Sequence, residues 1–232
     1  MQTEKSKILT FSGLLQVILP IVLAAAVGVA VYAYVNSQNA RKIAHLEQNL
    51  IDIRSTIHVD SIRQFNLQKV ISIIDDYNSD MPQHQKYEIA EEIFSMTQKY
   101  PNLDIDLLCA TITHESAGTW DPQVVSPAGA LGLMQVMPAT GMFIAMQEGI
   151  SWTSAEDILF DPIHNIRIGS RYLSTLIENY DVDGGLAAYN GGERRAANWI
   201  NQGKPNGILA KETQHYVPAI QKLYQHYKTM TL

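Results

Sequence analysis

A chain of 232 residues with a single cysteine, Cys109, has no internal disulfide to brace its fold. Cysteine usage therefore reports nothing about the redox compartment. Within an apolar helical stretch this thiol reads as a buried, inert side chain. Its distance from the N-terminus excludes a lipoprotein anchor. A basic excess is missing too: 17 Lys and Arg stand against 23 Asp and Glu, a net charge of −6. That excludes a nucleic-acid-binding face, which needs cations to neutralise phosphates. Alternating strand patterns and hairpin turns are scarce, so the chain reads as mainly α. The seven histidines show no ligand spacing. His114-Glu115 begins like the HExxH zinc motif, but its fifth position is Gly118. No metal site, other cofactor or phosphate-binding glycine loop is expected. What remains is a chain 46% hydrophobic, enough for one globular domain plus accessories.

The longest uncharged run is FSGLLQVILPIVLAAAVGVAVYAYV, Phe11–Val35. As a helix rising about 1.5 Å per residue, it spans a hydrocarbon core of about 30 Å. A cleaved signal peptide is the alternative, with Val31–Ala33 as the processing site. The run exceeds the usual signal core of about 7–15 residues, which favours a retained anchor. Ile43, Leu46, Leu50, Ile53 and Ile57 then recur at steps of three and four. This stripe reads as a short helical stalk or an intramolecular helix pair, rather than a true coiled-coil dimer. The polar stretch Tyr77–Lys86, containing Pro82, reads as a linker. The expected organisation is a tail over 1–10, an anchor over 11–35, a stalk and linker over 36–80, and a domain over 87–232.

Beyond the linker the chain punctuates helices. Asp104 caps a predicted helix over 105–116 that Gly118 ends. Thr153 and Glu156 read as a capping box, and Asp161-Pro162 as an N-cap followed by proline at the first helical position. Ile166, Ser170, Leu173, Ile177 and Tyr180 share one face; Val217, Ile220, Tyr224 and Tyr227 share another.

In the first of these helices Leu108, Ile112 and Glu115 fall on one face, so the glutamate follows a core stripe at the helix end. Partial burial and the negative end of the helix dipole both disfavour its charge. Both raise its pKa toward that of a general acid working near neutrality. A glutamate that pairs with a cation or solvates the helix end is the bland alternative. The segment SPAGALGLMQVMPATG, Ser126–Gly141, places Gly129 and Gly132 where the backbone turns closely, followed by Met134 and Gln135. Taken alone, it is either a ligand-binding loop or a structural turn. LAAYNGG brings Tyr189 and Asn190, and KETQHYV brings Tyr216. Such rings and amides suit a sugar, although tyrosines at helical spacing also serve as core.

Taken in order, HES, SPAGALGLMQVMP, FDPIHNIRIGSRYL, AAYNGG and ETQHYV resemble the lytic transglycosylases of the SLT type, relatives of goose-type lysozyme, over about residues 103–227. The resemblance implies a lysozyme-like helical domain. It also implies cleavage of the β-1,4 bond between N-acetylmuramic acid and N-acetylglucosamine, leaving a 1,6-anhydromuramoyl end. Glu115 matches the catalytic glutamate, acid first and base afterwards, so one carboxylate serves where ordinary glycosidases generally need two. By the same resemblance Ser126 contacts the acetamido region, and Met134 and Gln135 line the cleft. Tyr189 and Asn190 orient the substrate, Tyr216 holds or polarises Glu115, and Glu212 is structural. Trp120–Pro122 departs slightly from the family's aromatic-plus-NP turn, which touches subsite shape.

A hydrolytic lysozyme is the nearest rival, with Asp121 as its candidate second carboxylate; a silent glycan-binding scaffold is another. The resemblance places the N-terminus in the cytoplasm and the domain in the periplasm, tethered to the bacterial inner membrane by one span. The implied partner is peptidoglycan, and the anchor and stalk suggest an envelope-spanning or secretion complex besides.

Overall fold

The computed structural model describes residues 11–230, which form eight helices and, among the described residues, no strand beyond two isolated bridges. The first helix, α1, runs Phe11–Tyr77, and two compact units divide the chain between Asp60 and Ser61.

The first unit is the α1 segment up to Asp60. Its apolar side chains have no protein to cover them: Leu19, Leu23 and Val29 are 65%, 66% and 68% exposed. Among the described residues this is the one helix long and apolar enough to cross a membrane, with a mean hydropathy of 2.3 over its most apolar window. Hydrocarbon satisfies such a surface, and the helix satisfies its own backbone. The stripe of Ile43, Leu46, Leu50, Ile53 and Ile57 lies on the same uninterrupted helix and is exposed throughout. Among the described residues of this unit no second helix pairs with it. The expected tail, residues 1–10, lies outside the described residues.

The second unit, Ser61–Leu232, opens with the rest of α1. Leu67, Val70, Ile73 and Ile74 are fully buried there, in the same core as every later helix. The stretch read as a linker is a tight turn within this unit. Lys86, almost wholly buried, ties it together by donating to Asp75 (2.5 Å) and to the Ser79 carbonyl (2.8 Å). The core therefore starts about twenty residues before position 87. An apolar spacing of three and four looks the same on a stalk as on a core helix, so sequence alone did not place that start.

After this turn come α2 (Gln83–Lys99) and α3 (Ile105–Glu115). A long loop then leads to α4 (Pro138–Glu148) and the short α5 (Ala155–Leu159). The rest is α6 (Pro162–Gly191), α7 (Glu193–Asn201) and α8 (Lys211–Thr229). Asp104 caps α3, its carboxylate accepting from Leu107 N at 2.8 Å, and Asp161 caps α6 the same way through His164 N. Thr153 does not cap α5. Ser154, one residue on, accepts from Asp157 N at 3.0 Å, because only its hydroxyl stands at the first non-helical position. The α6 face of Ile166, Ser170, Leu173 and Ile177 is buried as its spacing predicts. Within α6 the backbone breaks at Asp181 (φ 62°, ψ −179°), whose carboxylate accepts from Gly184 N and from Lys204.

Two pairings position the site. The α3 helix lies along α8, fastened where Thr113 shares a hydrogen bond with Tyr227 (2.9 Å) and accepts from Trp120 Nε1 (3.0 Å). Glu92 on α2 accepts from Nε and Nη2 of Arg167 on α6 at 2.9 and 2.8 Å, a planar fork that fixes register as well as distance.

Candidate active site

Glu115 is the last residue of α3, where four carbonyls have no donor from the helix itself. Ala117 and Gly118 turn left-handed (φ 53° and 70°), and Gly118 N closes the helix on the Thr113 carbonyl at 2.8 Å. The chain is thus turned away immediately after the glutamate, which leaves its side chain partly buried beside α8. There Tyr216 donates its hydroxyl to Glu115 Oε1 at 2.5 Å.

Burial pushes the Glu115 carboxyl up, the Tyr216 hydrogen bond pulls it down, and the negative charge of Glu212 pushes it up again; the balance lies at about 7. Tyr216 and Tyr189 are both held well above the ordinary phenol range by burial first and by the charge of Glu115 next. Both remain protonated donors at any physiological pH. The His114 ring meets Tyr216 edge-on at 4.9 Å, and burial lowers its pKa, so it stands neutral beside the acid.

The loop after α3 leads to a cavity whose lining does not include Glu115. Gly132 sits at φ 77°, and a Cβ there would come within 2.2 Å of both the Asn165 amide and the Leu159 carbonyl. Only glycine permits that approach. Asn165, fully buried, accepts from Met134 N (2.8 Å) and donates to the carbonyls of Leu131 (2.9 Å) and Leu159 (2.8 Å). Three bonds from one amide lock this loop onto the start of α6. Sequence reading missed Asn165; an asparagine one position before the buried face of Ile166 was its only signal.

The expected residues are placed unevenly. Met134 is fully buried with its thioether against Gly169 and near Ser170 Oγ (3.9 Å), so its side chain enters the core instead of the cleft. The missing side chain of Gly169 leaves room for it. What Met134 offers is its carbonyl, which accepts from Tyr189 Oη at 2.7 Å. Gln135 (φ 47°) donates its amide to the Val124 and Gly132 carbonyls at 3.1 and 2.8 Å, bracing the loop. Ser126 closes its own turn, its hydroxyl accepting from Ala130 N at 3.0 Å. Gln135, Tyr189 and Asn190 meet around one cavity of ≈ 310 Å³, walled also by Thr140 and Tyr172. Asn190 links this cavity to α8, accepting from Thr213 (2.7 Å) and donating to Glu212 (3.3 Å). The negative charge of Glu212 pushes both Glu115 and His114 up as well. Asp121 instead is exposed and spends Oδ1 on Gln123 N at 2.9 Å, shaping the loop.

Residues 92–210, from α2 to just before α8, match the transglycosylase SLT domain. The chain belongs to this family. It is 39% identical over 93 residues to the soluble lytic murein transglycosylase of Escherichia coli K12, covering 39% of this chain and 14% of that protein. It is 34% identical over 152 residues to membrane-bound lytic murein transglycosylase C of Salmonella paratyphi B, covering 55% and 41%. Among solved structures, the 70-kDa soluble lytic transglycosylase of Escherichia coli superposes with a TM-score of 0.50 at 30% identity, covering 58% of this chain and 24% of that one. The lysozyme-like helical fold follows, and the chain spans well under half the length of each of these relatives.

Proposed function

We propose that this chain is a membrane-tethered lytic murein transglycosylase in which Glu115 works first as acid and then as base. The observation that carries the reading is the Glu115 carboxyl, partly buried at a helix end, poised at about 7 and held by the Tyr216 hydroxyl. A group with that pKa is present in both protonation states near neutrality, which suits two successive proton transfers.

In the first step Glu115 gives its proton to the glycosidic oxygen as the bond from that oxygen to C1 of N-acetylmuramic acid breaks. The leaving sugar departs with a new hydroxyl, and C1 carries cationic character. In the second step the Glu115 carboxylate takes the proton of the same sugar's C6 hydroxyl while O6 bonds to C1. The 1,6-anhydro ring closes without water, and Glu115 is again protonated. Tyr216 supports both halves: its hydrogen bond stabilises the carboxylate while burial favours the acid. The reading gives Gln135, Tyr189 and Asn190, which line one cavity, the task of orienting the sugar, and Ser126 that of meeting its acetamido group.

A hydrolytic reading needs a carboxylate to position water. Asp121, the candidate for that role, is exposed and spends Oδ1 on its own turn. The products separate the two readings. Murein digested by the full chain in detergent should yield anhydromuramoyl ends by mass spectrometry, and reducing muramic ends in their place would reject the transglycosylase. Glu115→Gln should yield no product, and a near-normal yield would reject the assigned role.

The uncharged, exposed stretch of α1 over residues 18–35 and the membrane-bound Salmonella relative support a membrane tether, and a single span with the domain in the periplasm would bring it to murein. The anchor and stalk would also suit a place in an envelope-spanning complex. Extraction of cell membranes with alkaline carbonate should leave the protein in the pellet; release into the supernatant would reject the anchor.

A further inference from the structure

The stripe of Ile43, Leu46, Leu50, Ile53 and Ile57 stands 54% to 63% exposed on a helix that runs through it without interruption. Read as heptads, Ile43, Leu50 and Ile57 occupy the a positions and Leu46 and Ile53 the d positions, which makes one continuous seam. Asn36 and Asn39 carry the same two positions one heptad nearer the apolar run, and Asp60 ends the pattern at the next d. Polar side chains in such a seam set its register at a cost in stability. Arg41, Lys42, Glu47, Asp52 and Arg54 stand in or beside the same stretch, so hydrocarbon is not what covers it.

The charges flanking the seam fit a copy of itself. When two such helices lie parallel and in register, a g residue of one meets the e residue of the next heptad on the other. Lys42 stands at g and Glu47 at e, so Lys42 meets Glu47 of the second copy, and Glu47 meets its Lys42. Among the described residues neither side chain has an ion pair within its own chain. Asn49 at g meets Arg54 at e, so no like charges oppose each other. The outward side is occupied with itself, Gln48 donating to Asp52 at 2.9 Å.

We infer that this face of α1 is the surface on which a second copy of the chain docks, as a parallel, in-register coiled coil. The parallel direction rests on the reading of residues 18–35 as a membrane anchor; the seam and its flanking charges do not. Two copies inserted the same way present the stripe in one direction and at one height above the bilayer. Confinement to the membrane also raises their effective concentration. That matters because the apolar seam covers only about two heptads, fewer than a coiled coil usually sustains.

Cysteine cross-linking of the full chain in cell membranes tests this. The native Cys109 is wholly buried and stays silent under a mild oxidant. Leu46→Cys and Ile53→Cys bring two thiols within disulfide reach across the seam, whereas Gln48→Cys and Ser55→Cys hold them apart on the outward side. The seam positions should give at least about tenfold more disulfide-linked dimer than the outward ones. Equal yields at all four positions, or none at any, overturn the interface. All four side chains are exposed, so the folded domain is not at stake. Glu47→Lys added to Leu46→Cys should cut the dimer severalfold, and Lys42→Glu added to both should restore it; a double swap as poor as the single one overturns the parallel register. Alkaline carbonate extraction of the same membranes reads the anchor separately. Release into the supernatant counts against the anchor, and the cysteine pattern in that fraction still decides the interface.

Discussion

Replacing Glu115 by glutamine should make the protein more stable in alkali and leave it unchanged in acid. The carboxyl titrates at about 7 in the folded chain against an ordinary value of 4.5. Below the lower value it is protonated in both states, and folding pays nothing for it. Between the two the unfolded chain releases its proton first, so stability falls as pH rises; above about 7 the whole cost is in place. A gap of about 2.5, at about 1.36 kcal/mol for each pH unit, amounts to roughly 3 kcal/mol. Glutamine is nearly isosteric, never ionises and still accepts the Tyr216 hydrogen bond, so it removes the cost without leaving a hole. For a unit of this size the gain corresponds to a melting temperature higher by roughly 6–12 °C at about pH 8, vanishing near pH 4. Circular dichroism melts of both proteins in detergent across that range provide the measurement. Comparison at each pH cancels the titrating groups that do not interact with Glu115. A difference independent of pH, or a variant less stable in alkali, would refute the placement of this acid.

Tyr216→Phe removes the one interaction that lowers the Glu115 pKa, so the alkaline limb of its pH–rate profile should move upward while the maximal rate falls; an unmoved limb would separate the tyrosine from the acid. Asn165→Ala strands Met134 N and the Leu159 carbonyl, while the Leu131 carbonyl keeps Val136 N, and should cost about 2 kcal/mol in urea unfolding, at about 1 kcal/mol or more for each stranded group. Gly132→Ala should be at least as damaging, since both close neighbours of its new Cβ belong to the same lock. Ser154→Ala should cost about 1 kcal/mol and Thr153→Ala almost nothing, because one hydroxyl caps α5 and the other does not.

What could be read in advance divides by the range of the forces involved. Asp104 and Asp161 announce their helices because a cap acts within three residues. The Thr153 reading slipped by one position, where two hydroxyl residues stand side by side and only backbone conformation chooses between them. Glu115 was legible because its apolar stripe and its helix end are both local. Its partner Tyr216 lies 101 residues further on and came only from the family likeness. Asn165 as the lock of the loop was missed, since it acts on segments distant in the chain. Met134 misled for a related reason: whether a thioether in a glycine-rich turn faces cleft or core depends on the missing side chain of Gly169.

The glutamate and the hydroxyl that holds it are made far apart in time. α8 leaves the ribosome well after α3, and until it docks the acid lacks its hydrogen-bond partner and the nearby Glu212 charge. In the proposed function, a nascent or clipped polypeptide without this helix would thereby be unarmed. Proteolysis between residues 201 and 211, which join α7 to α8, would disarm it again without touching the carboxylate.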